Sequence, residues 1–340
     1  MANSKTIVYI GNKMGRHGLT PGTIELLSEK LAESFTIISA SEKKNPVLRL
    51  LDMCKCIFQN RHHADYVLID TYSTSAFYFA WACGMVCQLF NLKYIPILHG
   101  GYLPRRLLRN PMLAAQLFNN AYKLVAPSGY MKQRFEIEGF RNIEIIPNFI
   151  RPESYPYQHR TKIHPNLLWV RSFHHTYNPE MAIHVLALLH QKGIAATLCM
   201  IGPDKDGSMD KCRILAHSLG IEEHIEFTGK LSKEEWIKRS AAFDIFINTT
   251  HVDNTPVSVI EAMALGMCIV STQVGGVPFI LTDGINSKLV NDGDVDGMCK
   301  AIMLYLEHPE ITSMYSNAAR IQAELWSWTN VKPLWLKLLS

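Results

Sequence analysis

The chain lacks an apolar stretch long enough to cross a bilayer. Its longest run, 75–90, falls short of the roughly 20 residues a spanning helix needs, and it reads as a buried helix. It also lacks a CxxC pair. The eight cysteines, Cys54, Cys56, Cys83, Cys87, Cys199, Cys212, Cys268 and Cys299, lie mostly in apolar runs. That speaks against a zinc site or a disulfide framework and for buried thiols in a reducing compartment. HExxH, P-loop and Gly-x-Ser-x-Gly motifs are absent, so the common zinc-peptidase, P-loop and nucleophile-elbow chemistries have no support, and no metal is expected. No basic stripe interleaved with aromatics is present, which argues against nucleic acid as a partner. Internal repeats and low-complexity segments are missing too. Met1 to Lys5 leads straight into a strand pattern, so no secretory leader is expected and the anticipated location is cytoplasmic.

What is present is an ordinary globular composition, with 48% hydrophobic and 19% charged residues. At 340 residues the chain exceeds one comfortable core, so two domains are expected. Short β-branched runs at 7–10, 35–39, 66–69, 94–98, 123–126 and 143–146 read as strands, then 166–170, 196–201, 225–228, 245–248 and 268–271. Helical patterns separate most of them. This α/β alternation predicts two parallel sheets in tandem, two Rossmann-like domains. The stretch 147–165 holds Pro147, Pro152, Pro156 and Pro165 without any period and reads as a linker. The domains are therefore expected at 1–160 and 161–325, followed by a terminal segment 326–340 whose helix carries Val331, Leu334, Trp335 and Leu338 on one stripe. Charge is uneven. Residues 1–160 carry 19 Lys+Arg against 11 Asp+Glu, about +8, which leaves about −4 for the rest. Solvated surface would explain this, as would an anionic acceptor or membrane surface facing the first half.

The most informative stretch is 246–280, which reads as strand, loop, helix, strand and glycine turn. Asp253, Asn254, Thr255 and Pro256 are loop residues that open a helix ending at Gly266. A helix start with free N–H groups suits a pyrophosphate. Glu261, about two turns in, suits the paired hydroxyls of a ribose. Upstream, the strand ending in Val170 delivers Arg171 to the edge where open α/β sheets bind ligands, in reach of a phosphate.

This pattern resembles the nucleotide-sugar site of the family 4 glycosyltransferases. Their motif is Glu, seven residues, Glu, then Ala-Met-Ala and a Val-Gly-Gly-x-Pro turn. Here Glu261 is followed by Ala262, Met263 and Ala264, then Val274, Gly275, Gly276, Val277 and Pro278, while Asp253 stands for the first Glu. The resemblance implies the GT-B fold: two Rossmann-like domains facing across a cleft, the C-terminal helix returning to the N-terminal domain. It implies a metal-independent, retaining hexosyl-type transferase moving a sugar from a nucleotide diphosphate, UDP- or GDP-linked, to an acceptor hydroxyl. No cofactor beyond that substrate is expected.

Residue by residue, the resemblance places Arg171 on the donor diphosphate. It places Asp253 beside the sugar's hydroxyls and anomeric carbon, and Asn254, Thr255, Pro256 and Val257 along the sugar and phosphates. The family's lysine five or six residues after the Arg is absent, since Thr176 and Tyr177 occupy those positions, and His174 and His175 are the nearest substitutes. Gly229, Lys230 and Leu231 resemble the turn that reads the base, although Lys230 by itself reads as a solvent-facing residue. His99, before Gly100 and Gly101, resembles the histidine that contacts the donor sugar. Gly11, Met14, Gly15 and Arg16 resemble the acceptor-side loop, with Thr20 and Pro21 expected to start the next helix. Polysaccharide, lipopolysaccharide or other glycoconjugate synthesis fits, with a glycan or lipid-linked acceptor and weak association at the inner membrane face. Arg105, Arg106 and Arg109 are a solvated face or contact such a surface. A sugar phosphorylase or epimerase fits less well, and Asp253 and the absent lysine keep a catalytically silent nucleotide-sugar-binding subunit as the alternative.

Overall fold

The computed structural model describes residues 5–15 and 22–340. Arg16, Thr20 and Pro21 lie outside the described residues. The first sheet contains β1 (Thr6–Ile10), β2 (Thr36–Ala40), β3 (Tyr66–Thr71), β4 (Tyr94–Leu98), β5 (Leu124–Ala126) and β6 (Ile143–Ile145). The second contains β7 (Asn166–Val170), β8 (Thr197–Ile201), β9 (Ile225–Gly229), β10 (Ile245–Asn248), β11 (Cys268–Thr272) and β12 (Lys288–Val290). All pairings are parallel. The eleven anticipated strands are present within a residue or two. The short β12 was not anticipated, because only Leu289 and Val290 mark it as apolar.

The first sheet runs β2-β1-β3-β4-β5-β6 and the second β12-β11-β10-β7-β8-β9. Each reverses direction once, between β1 and β3 and between β7 and β10. Open sheets of this type bind ligands at the strand C-termini beside that reversal, where the flanking loops part. In the second sheet Leu167 and Trp169 of β7, Ile245 and Ile247 of β10, and Cys268 and Val270 of β11 enter one core. The alternate residues Leu168, Phe246 and Ile269 enter another. Period-two alternation thus feeds two apolar layers, so both faces are covered and the strand ends are left for polar work.

The chain divides into two units, one running to Pro147 and including Leu336–Ser340, the other Asn148–Trp335. Residues 148–160, assigned above to the first domain, group with the second because they are bonded into it. Ile150 N–H donates to the Trp326 carbonyl at 2.9 Å. Buried Arg160 donates to Asp244 at 3.0 Å and to the carbonyls of Phe243, Leu265 and Gly266. The absence of a hydrophobic period concealed this polar anchorage. The last helix, Trp328–Leu339, buries Val331, Trp335 and Leu339, while Leu334 is 40% exposed. The stripe therefore follows a four-residue step rather than the one anticipated through Leu334, and only its last residues group with the first unit.

Candidate functional site

In the second unit, the reversal between β7 and β10 gathers residues far apart in sequence. Arg171 leaves the end of β7 with its backbone N–H on the Ile201 carbonyl at 3.0 Å. Gly202 makes this approach feasible, since a Cβ there would lie 1.7 Å from the Arg171 carbonyl oxygen. The guanidinium lies over the Tyr177 ring at 4.6 Å and pairs through Nη2 with Asp253. Burial pulls the Arg171 pKa below the ordinary arginine value, with the Tyr177 phenol acting the other way.

Asp253 belongs to the loop after β10. Its Oδ1 accepts from the Asn254 N–H at 2.8 Å and its Oδ2 faces Arg171. The glycine turn fixes this loop by contact. Gly276 N–H donates to the Asp253 carbonyl at 2.9 Å. A Cβ would lie 2.1 Å from the Asp253 oxygen at Gly275 and 1.7 Å from the Asn254 oxygen at Gly276. Any side chain at either position would push the Asp253 loop away. Asp253 and Arg171, read separately from the sequence, are thus one ion pair.

The helix Val257–Ala264 starts after Pro256 with no side chain capping it. Asn254, Thr255 and Ser258 are buried around that start, and Val257 is 37% exposed. Three of the polar atoms gathered here, Thr255 Oγ1, Ser258 Oγ and Arg171 Nε, are buried without a hydrogen-bond partner in the protein. Leaving a polar group so costs about 1–3 kcal/mol, and a protein tolerates it where something else supplies the partner.

Glu261 is the fifth residue of that helix, one turn in rather than the two anticipated, and is 5% exposed. Its Oε1 accepts from the Tyr155 hydroxyl at 2.9 Å and is paired with the Lys233 ammonium. Lys233 lies over the rings of Tyr155 at 5.4 Å and Trp236 at 5.1 Å. Burial pulls the Lys233 pKa down to about 8. Gly229 ends β9 with φ +69°, and its carbonyl accepts from Gly202 N–H at 2.9 Å. Lys230 is exposed and Leu231 is half-buried against the second unit's core.

His174 and His175 share Asp206. His175 approaches it through its backbone N–H at 2.8 Å and Nδ1 at 3.0 Å, and His174 Nε2 lies 4.0 Å away. Among the described residues this is the group with metal-ligand spacing. His174 is poorly set for that role: its Nδ1 accepts from the Thr176 N–H at 3.2 Å, which puts the ring proton on the Nε2 that faces Asp206. Burial raises the Asp206 pKa, but hydrogen bonds from Ser208 and His175 outweigh it and hold the carboxyl well below the usual range. The three Asp-x-Asp steps of the chain, Asp204/Asp206, Asp292/Asp294 and Asp294/Asp296, lie in loops and at a helix start. Asp204 accepts from Asp206 and Gly207 N–H, while Asp294 caps the helix Val295–Glu307 and Asp292 meets His251.

The first unit carries its own cluster at the β1/β3 reversal. His99, buried at the end of β4, lies with Nε2 3.0 Å from Asp70 Oδ1, the same oxygen that accepts from Tyr9 OH at 2.9 Å. Tyr72 stacks on the His99 ring at 4.7 Å. Burial first, then Asp70, raises the Tyr9 pKa and keeps it a donor. Gly11 ends β1 where a Cβ would lie 2.6 Å from Asp70 Oδ2. Gly15 N–H donates to Glu25 Oε1 at 2.8 Å, and Met14 is half-buried. Arg106 is taken up by the Ser73 carbonyl at 3.0 Å and Asn110 at 3.0 Å, and Arg105 lies over Tyr102, so these arginines make structural contacts.

Sequence reading missed Lys233, Tyr155, Asp206 and Asp70. Ser232 and Glu235 form a capping box that marks Lys233 as the first residue of the helix Lys233–Ser240, and this signal was available. Tyr155 lies 106 residues from Glu261, and no local pattern announces their bond.

The fold and these residues define an open α/β protein with incompletely satisfied polar groups gathered at a sheet reversal. Residues 159–322, most of the second unit, match the model of the glycosyl transferases group 1 family. A D-inositol 3-phosphate glycosyltransferase of Mycobacterium ulcerans is 31% identical over 133 residues, 38% of this chain and 29% of that protein. The sulfoquinovosyl transferase SQD2 of Arabidopsis thaliana is 30% identical over 105 residues, 30% of this chain and 21% of that one. The matches thus span under a third of these relatives' length. HepE of Anabaena, solved in complex with UDP and glucose, superposes with a TM-score of 0.77 at 15% identity over 98% of this chain and 99% of its own. That likeness establishes the two-sheet α/β fold of the GT-B glycosyltransferases.

Proposed function

We propose that the protein is a retaining glycosyltransferase that takes a sugar from a nucleotide diphosphate to an acceptor hydroxyl. The observation that carries this reading is the set of unpartnered buried atoms, Arg171 Nε, Thr255 Oγ1 and Ser258 Oγ, around an uncapped helix start. A diphosphate supplies the acceptor oxygens and negative charge such a set seeks. Arg171 keeps Nη2 on Asp253 and offers its Nε edge to a phosphate. Glu261 then receives the ribose hydroxyls. As the sugar–phosphate bond breaks, negative charge grows on the diphosphate and positive charge on the anomeric carbon. Arg171 and the helix N–H groups stabilise the first, and the Asp253 carboxylate stabilises the second. The departing phosphate takes the acceptor's proton, so no protein base is required. We assign the donor to the UDP or GDP class and the acceptor to a glycan or lipid-linked glycan.

Association with a membrane surface belongs to the same proposal. Among the described residues no helix is long and apolar enough to cross a membrane. The helix Pro46–Asn60, however, exposes Val47, Leu48, Leu51 and Phe58 at 67, 55, 61 and 48% on one side, with Lys43, Lys44 and Lys55 also exposed nearby. An apolar stripe beside lysines suits the cytoplasmic face of an anionic bilayer. One observation favours a second reading, a nucleotide-sugar-binding subunit without turnover: Arg171 is already paired with Asp253.

A thermal-shift screen of UDP- and GDP-sugars, followed by assay of nucleoside diphosphate release with and without EDTA, separates these readings. Stabilisation with slow release that persists in EDTA is the expected result. Stabilisation without release supports the silent subunit, and no stabilisation by any nucleotide sugar rejects both.

A further inference from the structure

Glu261 Oε1 is committed twice, to the Tyr155 hydroxyl and to the Lys233 ammonium. The two partners come from different parts of the second unit, the segment after β6 and the start of the helix Lys233–Ser240. The ammonium is in turn held by the faces of Tyr155 and Trp236. The Ser232–Glu235 capping box fixes where this helix begins, with Ser232 N–H on Glu235 Oε2 at 2.7 Å and Glu235 N–H on Ser232 Oγ at 3.2 Å. The carboxylate of Glu261 is therefore gripped at one oxygen from two sides.

We infer that Lys233 is a positioning residue of the donor site: with Tyr155 it locks Glu261 through Oε1, so that Oε2 is the oxygen offered to a hydroxyl of the nucleotide's ribose. This rests on the assignment of Glu261 to the nucleotide. Two features of the arrangement support it. An isolated buried carboxylate is costly unless paired, so a cation at Oε1 keeps Glu261 ionised and hence a strong acceptor. A side chain held at one end also spends less rotamer entropy when a ligand engages the other end. The chemistry selected is a ribonucleotide, since the remaining oxygen asks for a hydroxyl donor.

The test is calorimetric titration of UDP and GDP into wild type, Lys233→Met, Lys233→Arg, Tyr155→Phe, Glu261→Gln and the Lys233→Met/Glu261→Gln double variant, each checked for an unchanged melting profile. Lys233→Met is expected to raise Kd about tenfold, Lys233→Arg to stay within about threefold of wild type, and Lys233→Met to add nothing once Glu261 is Gln, because coupled residues are non-additive. Tyr155→Phe removes one hydroxyl only and is expected to raise Kd about threefold. Affinity equal to or tighter than wild type in Lys233→Met would overturn the inference, since the lysine would then obstruct the carboxylate. So would a full tenfold loss persisting in the Glu261→Gln background, or an Arg variant as poor as Met. If wild type binds neither nucleotide, or Glu261→Gln binds like wild type, the donor-site reading itself fails first, and the two failures are thereby told apart.

Discussion

The two sheet reversals make an instructive pair. At β1/β3, Asp70 is enclosed: Tyr9 and His99 both reach its Oδ1 and Gly11 packs against its Oδ2. At β7/β10, Arg171 and Asp253 neutralise each other, yet Arg171 Nε, Thr255 Oγ1 and Ser258 Oγ lack partners. The same topology therefore carries a polar knot bonded within the protein in one unit and an incompletely satisfied site in the other. The first arrangement spends its hydrogen bonds on holding residues, the second reserves them. Mutations at the two places should accordingly fail in different currencies, stability at the first and ligand handling at the second.

The largest expected effect tests the first half of that contrast. Asp70→Ala strands buried His99 and Tyr9 and should cost about 3–5 kcal/mol of stability, read by chemical denaturation. A loss below about 1 kcal/mol would show the knot to be no more than surface-grade polarity. Next, Asp253→Asn keeps the shape of the loop and should lower turnover about 100-fold while changing donor Kd much less, as for a charge felt mainly in the transition state. Equal losses in kcat and donor affinity would make Asp253 a ground-state contact.

A smaller effect sharpens the contrast most. Thr255→Val and Ser258→Ala each remove a hydroxyl that has no partner in the protein. Each should leave the ligand-free protein as stable or up to about 1 kcal/mol more stable, while reducing the thermal stabilisation by nucleotide sugars. If both variants lose stability without ligand, those hydroxyls serve the fold and the comparison collapses. The smallest effect concerns Asp206, whose carboxyl pKa is depressed in the folded protein. A depressed carboxyl binds fewer protons folded than unfolded, so its stabilising contribution is present above the unfolded value of about 4 and fades as pH falls through the folded one. Asp206→Asn should lower stability near neutral pH, where that contribution is present, and flatten the acid limb so that the difference from wild type shrinks as pH falls below about 4. An acid limb identical to wild type would contradict the assignment.

Much of this was legible beforehand. Eleven strands showed themselves as short β-branched runs because strands buried on both faces need continuous apolar residues. The helix Val257–Ala264 was announced by Pro256 before it and Gly266 after it, and Gly266 adopts φ +72° as such a stop requires. The helix Ala76–Leu89 was recognisable as buried from composition, and Phe77, Ala80, Cys83 and Cys87 are in the core. The error at the domain boundary fell where polarity, not hydrophobicity, organises the chain. The stretch 148–160 looked like a linker because its anchors, Tyr155 and Arg160, act singly rather than with a period.

By itself, the sequence determined the strands, the glycine turns and the chemical types gathered near the second reversal, because each is a local consequence of side-chain shape or periodic burial. Only the tertiary structure decided how those types are paired. It joined Arg171 to Asp253 across 82 positions of chain, gave Glu261 the company of Tyr155 and Lys233, and set Asp70 beside His99. It also left Thr255 and Ser258 without partners. The physical reason is that a hydrogen bond or ion pair depends on a few tenths of an ångström between groups distant in the chain. Parallel crossovers bring such groups together only after both sheets and their covering helices have packed.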